Sequence, residues 1–313
     1  MEAGTAGLRL QLCSLIPGER SGIVGGLPDH STSTLQLPQR WPAAEDTSNV
    51  ERLSLTHSRR TRLVSRNGRS DTRLSSLYKK SGVNSETIHA LADEAVLLKK
   101  KAEDLTPRLN ERCIYLIGMM GSGKSTVGKI LSEALGYSFF DSDKLVEQAV
   151  GGTSVAQIFK QYSESFFRDN ESEVLHSLSS MHRLVVATGG GAVIRPLNWN
   201  YMKKGITVWL DVPLEALARR IAAVGTDSRP LLHHESGDPY DKALVRLRNL
   251  SRERGEVYAN ADVRVCLEYL ATKQGLGDVS AITPTAIATE ALVGMETFLK
   301  KTALLEMPRD NPP

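Results

Sequence analysis

The chain has 313 residues, of which 41% are hydrophobic, 24% charged and 5% aromatic, and its formal net charge is +3. No run approaches the roughly 20 apolar residues that a membrane span needs, and the charge is too small for a general nucleic-acid binder. Three cysteines cannot form a disulfide framework, so we expect a soluble globular protein of a reducing compartment, with no membrane span and no nucleic-acid partner.

The first 80 residues carry the positive charge. They contain twelve Lys and Arg against seven Asp and Glu, a local charge of +5, so residues 81–313 carry −2. Serine and threonine are interleaved with the arginines, and no helical or strand period is sustained. Such a leader is typical of an organelle transit peptide, although four acids within its first 45 residues are unusual for one. A disordered basic tail that binds an acidic partner is the alternative.

A helix is predicted from Asn84, because Ile88, Leu91, Ala95 and Leu98 recur at spacings of three and four. We expect this helix to lead into the folded domain. Pro107 is expected to end it.

A phosphate-binding loop follows. Residues 113–118 form a short apolar run that predicts a buried strand, and a helical stripe occupies residues 127–135. Between them lies Gly118-Met-Met-Gly121-Ser122-Gly123-Lys124-Ser125, the P-loop pattern in its strand and helix context. We expect its backbone N–H groups to bind phosphate oxygens, Lys124 to neutralise the β- and γ-phosphates, and Ser125 to join a Mg²⁺ shell. The motif predicts a nucleoside triphosphate, and GTPases, ATPases and small-molecule kinases all remain open.

Two acids, Asp141 and Asp143, follow the second predicted strand, residues 137–140. At the carboxyl end of a parallel strand they should lie beside the phosphate loop, and an extended chain would turn both to one side. One could then hold Mg²⁺ through its waters while the other orients or deprotonates a substrate hydroxyl. The sequence supports equally well an N-cap that begins a helix over residues 144–150.

Arg168 and Glu171 lie three residues apart on one long predicted helix and therefore on one face. A guanidinium held by a carboxylate can bind an acidic substrate in bidentate fashion, whereas a surface ion pair is the alternative. Apolar neighbours favour partial burial of Arg168, namely Ile158, Phe159, Tyr162, Phe166 and Phe167.

Three glycines, 189–191, end the third predicted strand, Leu184–Ala187. No acid stands there, and glycines let a ligand approach backbone amides closely, although a simple turn would also accept them.

Residues 223–240 lack periodicity and carry Gly and Pro at both ends, which is typical of a lid that excludes water and also of an inert surface loop. We expect His233 and His234 to be solvated residues of this lid rather than metal ligands.

In the last third of the chain, the residue pattern predicts one arginine-rich helix, one strand and one core helix. The helix carries four arginines diluted by Glu253 and Glu256, which favours a solvated face with one functional arginine over a nucleic-acid patch. The arginines are Arg246, Arg248, Arg252 and Arg254. A strand is expected over residues 263–267, and a core stripe at Ile287, Ala291, Met295 and Leu299, before a disordered tail from residue 306. Cys113 and Cys266 fall on predicted strands as buried apolar residues, and their redox role is open.

Taken together, these motifs resemble shikimate kinase. The resemblance rests on the phosphate loop, the Asp-Ser-Asp pair, the Phe-Arg that precedes Glu by three residues, the glycine triplet and Ser-Arg-Pro-Leu-Leu at residues 228–232. The resemblance covers roughly residues 105–300. Within it, the sequence of residues 113–260 is similar to that of the plant chloroplast enzymes in particular. It implies a three-layer α/β/α P-loop kinase of the nucleoside-monophosphate-kinase type, with a central parallel sheet and a mobile lid.

The resemblance also implies the ligands and the roles of single residues. Asp143 would be the catalytic carboxylate, Arg229 would belong to the lid that closes over ATP, and Arg220 would flank adenine. Asp141 would hold Mg²⁺ with Ser125. The residues implied to bind shikimate are Asp143, Arg168, Gly190, Gly191 and Arg254. The residues implied to bind ATP, besides Arg220 and Arg229, are Gly118, Gly121, Ser122, Gly123, Lys124, Ser125 and Thr126.

The implied activity is phosphorylation of the 3-hydroxyl of shikimate by ATP in the plastid, giving 3-phosphoshikimate and ADP. A gluconate-kinase-like enzyme of the same fold and a catalytically inactive plastid binding protein are the alternatives. We expect a transit peptide and leader at 1–80, read by the plastid import machinery, a leading helix at 81–104, the kinase domain at 105–302 and a tail at 303–313. The oligomeric state is left open.

Overall fold

The computed structural model describes residues 85–224 and 238–306. The leader, most of the predicted lid with Arg229, His233 and His234, and the end of the tail lie outside the described residues. The strands are β1 (Ile114–Ile117), β2 (Ser138–Asp141), β3 (Leu184–Ala187), β4 (Ile206–Asp211) and β5 (Val263–Cys266). The helices up to β4 are α1 (Ser85–Leu109), α2 (Lys124–Leu135), α3 (Ser142–Ala149), α4 (Val155–Gln161), α5 (Glu164–Leu178) and α6 (Pro196–Met202). After β4 come α7 (Leu214–Val224), α8 (Pro239–Tyr258), α9 (Leu267–Lys273) and α10 (Pro284–Glu306), and 3-10 turns occupy Ala192–Ile194 and Val279–Ala281.

The five strands form one parallel sheet in the order β2-β3-β1-β4-β5. Every residue of β1 and β3 is buried, as expected for strands that are covered by helices on both faces. The predicted three-layer α/β/α architecture with a central parallel sheet is therefore confirmed.

The sheet brings the predicted motifs to one edge. The chain leaves β1 for β2, returns to β3 between them, and then crosses to β4 on the other side of β1. Ligands of open α/β sheets bind at the carboxyl ends of the strands beside such a crossover. The phosphate loop after β1, Asp141 at the end of β2 and the glycines after β3 all lie there.

Helix α1 differs from the prediction at its C-terminal end and in the extent of its buried face. It continues through Pro107 to Leu109, because proline removes only one N–H···O bond and buried residues on either side hold the last turn on the core. Apolar burial begins only at Leu98, whereas Leu91 is 47% exposed and Ala95 is also exposed. The buried face that packs against α10 and α2 consists of Leu98, Ala102, Leu105 and Leu109.

The one long helix predicted around Arg168 is wrong, because the structure has two. Helix α4 ends at Gln161 and α5 begins at Glu164, with Ser163 as N-cap accepting a hydrogen bond from the Phe166 N–H. Tyr162, in the break, is 54% exposed. A capping serine competes with helix continuation through its own side chain, and this ended the helix that the apolar pattern favoured.

Towards the end of the chain the predicted core stripe is confirmed. Its four residues on α10 are all buried. This helix extends to Glu306, so residues 303–306, predicted to belong to the tail, are helical.

Cys113 is buried as expected, whereas Cys266, the last residue of β5, is only half-buried. Within residues 85–224 and 238–306, no helix combines the length and the apolar composition of a membrane span.

Candidate active site

The phosphate loop curls around the ammonium group of Lys124. Its Nζ lies 2.8 Å from the Gly118 carbonyl oxygen and 2.9 Å from that of Met119, and the side chain is buried. Gly118 and Gly123 have φ of 142° and 92°, a region that side chains rarely enter. A Cβ on Gly118 would also lie 2.8 Å from the Leu210 carbonyl oxygen. The glycines are therefore required for the loop that turns its amides towards the start of α2.

Asp141 is the N-cap of α3 and also contacts the phosphate loop, while its expected role as a Mg²⁺ ligand stays a prediction. Its Oδ2 accepts a 2.7 Å hydrogen bond from Ser125 Oγ, and its Oδ1 accepts one from the Asp143 N–H at 3.2 Å as the N-cap of α3. Asp143 consequently lies in the first helical turn, and the expected extended chain with both acids on one side is wrong. The Ser125 and Asp141 oxygens are hard donors at the phosphate loop, and their chemistry fits Mg²⁺.

Asp143 is a half-buried residue beside the phosphate loop, and its carboxylate oxygen Oδ1 is buried. Its Oδ1 has no hydrogen-bond partner in the described part of the chain. Burial raises the pKa of Asp143 to about 7, and the negative charges of Glu171 and Asp141 act in the same direction. Lys124 and Arg168 oppose this shift. A carboxyl group whose pKa lies near neutrality suits proton transfer.

Arg168 and Glu171 form a buried ion pair, so the surface alternative is wrong. Arg168 Nη1 lies 2.8 Å from Glu171 Oε2, with Arg168 8% and Glu171 0% exposed. Burial raises the pKa of Glu171, and the nearby Arg168 charge opposes that rise. The second guanidinium nitrogen, Nη2, contacts the half-exposed Glu164 at 3.1 Å, a contact that the sequence analysis missed.

The glycine triplet after β3 lies against these charged groups. The Gly189 N–H donates to Ser142 Oγ at 3.0 Å. A Cβ on Gly189 would lie 2.5 Å from Asp143 Oδ1 and 2.6 Å from Glu171 Oε1, and one on Gly191 would collide with the Arg168 guanidinium. A simple turn would not exclude side chains in this way, so the glycines are required by the protein's own charged groups, and the close approach of a ligand stays a prediction.

Arg254 joins the triplet from α8. It is 6% exposed, and its Nη1 donates to the Gly190 carbonyl oxygen at 3.2 Å, whereas Arg248 and Arg252 are exposed. Arg246 on the same helix is half-buried, so the expected solvated face is confirmed only for Arg248 and Arg252. Tyr258, one helical turn later, donates to the same carbonyl oxygen at 2.6 Å. The sequence analysis missed Tyr258, although its spacing of four from Arg254 puts both on one helix face.

Arg220 reaches the phosphate loop from α7. Its Nη1 donates to the Gly121 carbonyl oxygen at 3.2 Å. Thr126, the residue after Ser125, lies exposed in the first turn of α2. Over the described ranges, no three His, Cys, Asp or Glu residues cluster as a metal site would require. The site thus joins a phosphate loop and two oxygen donors to a buried carboxylate and two buried arginines, an arrangement suited to phosphoryl transfer onto an anionic acceptor.

Comparison with known proteins gives a consistent set of similarities. Residues 120–289 match the family described as SKI: Shikimate kinase. Shikimate kinase 3, chloroplastic, of Oryza sativa subsp. japonica is 72% identical over 68% of this chain and 75% of its own length. Shikimate kinase 1, chloroplastic, of Arabidopsis thaliana is 60% identical over 68% and 70%. The solved shikimate kinase of Acinetobacter baumannii in complex with shikimate is 31% identical, covers 65% of this chain and 99% of its own, and has a TM-score of 0.49.

Proposed function

Since this chain belongs to the shikimate kinase family, we propose that the site described above transfers the terminal phosphoryl group of ATP to the 3-hydroxyl of shikimate. The products are 3-phosphoshikimate and ADP, in the pathway to chorismate and the aromatic amino acids. The observation that carries the assignment of the site is Asp143, a buried carboxylate with a pKa of about 7 between the phosphate loop and the Arg168–Glu171 pair.

Shikimate is held by its carboxylate in this proposal. Arg168 and Arg254 are both buried, and both contact the glycine triplet, since Arg254 binds the Gly190 carbonyl and the Arg168 guanidinium borders Gly191. Two guanidinium groups can bind one carboxylate through charge-assisted hydrogen bonds. The ion pair with Glu171 holds the Arg168 guanidinium in one orientation. The backbone amides of Gly190 and Gly191 bind the ring hydroxyls.

Asp143 acts as the base. The 3-hydroxyl oxygen attacks the γ-phosphorus, the bond from that phosphorus to the ADP oxygen breaks, and the hydroxyl proton passes to the Asp143 carboxylate. ADP leaves with the electron pair of the broken bond. A pKa of about 7 keeps a large share of Asp143 ionised at neutral pH and still basic enough to accept a proton.

ATP is the phosphoryl donor and occupies the phosphate loop through the seven residues from Gly118 to Thr126 named above. Lys124 supplies positive charge next to the β- and γ-phosphates. Mg²⁺ would be held by Ser125 and Asp141, and when bound it neutralises developing charge on the phosphate oxygens. Arg220 flanks the adenine, and Arg229, beyond the described residues, closes over ATP with the lid.

The protein works in the chloroplast, as the names of its plant relatives state for those proteins. We propose that residues 1–80 are the transit peptide, that the import machinery is its partner, and that residues 81–104 lead into a kinase domain that extends from 105 to the end of α10 at Glu306. Helix α1 crosses the boundary at 104 without a break, so the leading helix and the kinase domain fold together.

The test is coupled ADP release with shikimate and gluconate side by side. We expect ADP release that depends on shikimate, and activity on gluconate alone would overturn the proposal. Asp143→Asn should lower turnover while ATP still binds. The matched control is Asp104→Asn, the same substitution at an exposed position of α1 that has no hydrogen bond or ion pair to the rest of the described chain, and it should keep the wild-type rate. If both variants kept that rate, Asp143 would not be the base.

A further inference from the structure

The peptide between Gly190 and Gly191 is anchored on one side only. Its carbonyl oxygen, on Gly190, accepts hydrogen bonds from Tyr258 Oη at 2.6 Å and from Arg254 Nη1 at 3.2 Å. Its N–H, on Gly191, donates to no acceptor among residues 85–224 and 238–306, although Gly191 is buried. Buried N–H groups are nearly always paired, so this donor is available for a ligand.

The carbonyl anchor determines where that N–H points. A peptide group is planar and trans, so its C=O and N–H point in opposite directions. Holding the Gly190 carbonyl towards α8 therefore directs the Gly191 N–H away from α8. Gly191 borders the Arg168 guanidinium, which is part of the proposed shikimate site. Glycine on both sides of this peptide leaves it with the least steric restraint of any pair of residues, so the anchor is needed to hold one orientation.

The phenol that anchors this carbonyl is itself held rigidly. Tyr258 is 2% exposed, and its ring stacks on Trp209 with centroids 5.8 Å apart and planes at 14°. The Arg264 guanidinium lies 4.8 Å from the Trp209 ring centre and forms an ion pair of 2.6 Å with Asp211. Burial raises the pKa of Tyr258 to about 12, so its hydroxyl remains a donor over the physiological pH range.

We propose that Tyr258 is a positioning residue for the acceptor, whose hydroxyl orients the Gly190–Gly191 peptide so that the Gly191 N–H faces shikimate. The inference rests on the proposed function, because it assumes that shikimate lies against the glycine triplet. Tyr258 touches neither substrate in this proposal. It acts through the backbone and through the carbonyl that it shares with Arg254.

The test is Tyr258→Phe, which keeps the ring and its stacking and removes only the hydroxyl. The matched control is Tyr115→Phe on β1, where the tyrosine is fully buried and its hydroxyl has no hydrogen-bond partner in the described part of the chain. Losing one well-placed hydrogen bond is expected to raise the KM for shikimate about tenfold. The kcat and the KM for ATP should stay within about twofold of wild type, as expected when only acceptor binding is weakened. Tyr115→Phe should change none of the three.

The outcomes separate this inference from the proposed function. A wild-type protein without shikimate-dependent ADP release would refute the function. An active wild type with an unchanged shikimate KM in Tyr258→Phe would refute the positioning role alone, and so would an equal rise in the KM for both substrates. Trp209→Phe, which weakens the stacking but keeps the hydroxyl, is the second variant. It should raise the shikimate KM by a smaller factor, and a larger effect than that of Tyr258→Phe would contradict the proposal.

Discussion

Replacing Asp143 by asparagine is expected to stabilise the fold while it removes the proposed catalytic base. The native pKa is about 7 and the ordinary value is 3.8, so the native state holds its proton more tightly than the unfolded chain does. Stability then falls as pH rises between these two values, because the unfolded chain ionises first. The two pKa values differ by about three units, and each unit corresponds to about 1.36 kcal/mol. Above pH 7, the ionised carboxylate therefore lowers the free energy of unfolding by about 4 kcal/mol.

Urea unfolding of wild type and Asp143→Asn at pH 4, 5 and 8 measures this cost. The variant should gain less than about 1 kcal/mol at pH 4, about 2 kcal/mol at pH 5 and about 4 kcal/mol at pH 8. The amide is uncharged, so it removes the repulsion between the ionised Asp143 carboxylate and Glu171. The control Asp104→Asn should stay within about 0.5 kcal/mol of wild type at every pH. A gain that does not grow between pH 4 and pH 8 would refute the assignment of a neutral pKa to Asp143.

Four further substitutions test the packing of the site and of two helices near it. Arg168→Ala should abolish shikimate binding and cost about 3 to 5 kcal/mol of stability because it leaves buried Glu171 unpaired, and adding Glu171→Gln should restore part of the stability but none of the binding. In α2, Gly128→Ala would put a Cβ 2.6 Å from the Phe139 ring and should cost about 1 to 3 kcal/mol in urea unfolding. Gly255→Ala in α8, whose Cβ would meet only Ser251 Oγ at 4.0 Å, should instead stabilise by up to about 1 kcal/mol, and a loss at both glycines would argue against the packing explanation.

The parts of the site that the sequence predicted are those determined locally. The phosphate loop needs only its glycines, its lysine and the flanking strand and helix, all within about 20 residues. The pairing of Arg168 with Glu171 follows from helical spacing. Asp141 was ambiguous because one carboxylate can cap a helix and contact a serine through its two oxygens, as it does here.

What the sequence did not reveal depends on distant packing. Leu91 has the helical spacing of a core residue, yet it is exposed because α1 contributes apolar burial only from Leu98 onward. Tyr258 resembles any aromatic residue on an amphipathic helix until the carbonyl of Gly190, 68 positions earlier, is found beside its hydroxyl. Such contacts carry no local pattern, since they are set by which strands and helices become neighbours.

Helix α1 also bears on the order in which the chain folds. Lys101 and Arg108 pair with Glu296 on α10, across 195 and 188 residues. The apolar face of the first described helix packs on α2 and on α10, so it is fully covered only when the last described helix arrives, and contacts of such sequence separation form late. A protein delivered N-terminus first through an import channel must remain unfolded while it passes. For the proposed import of this chain, we expect the pairing of α1 with α10 to delay completion of the fold until α10 has crossed.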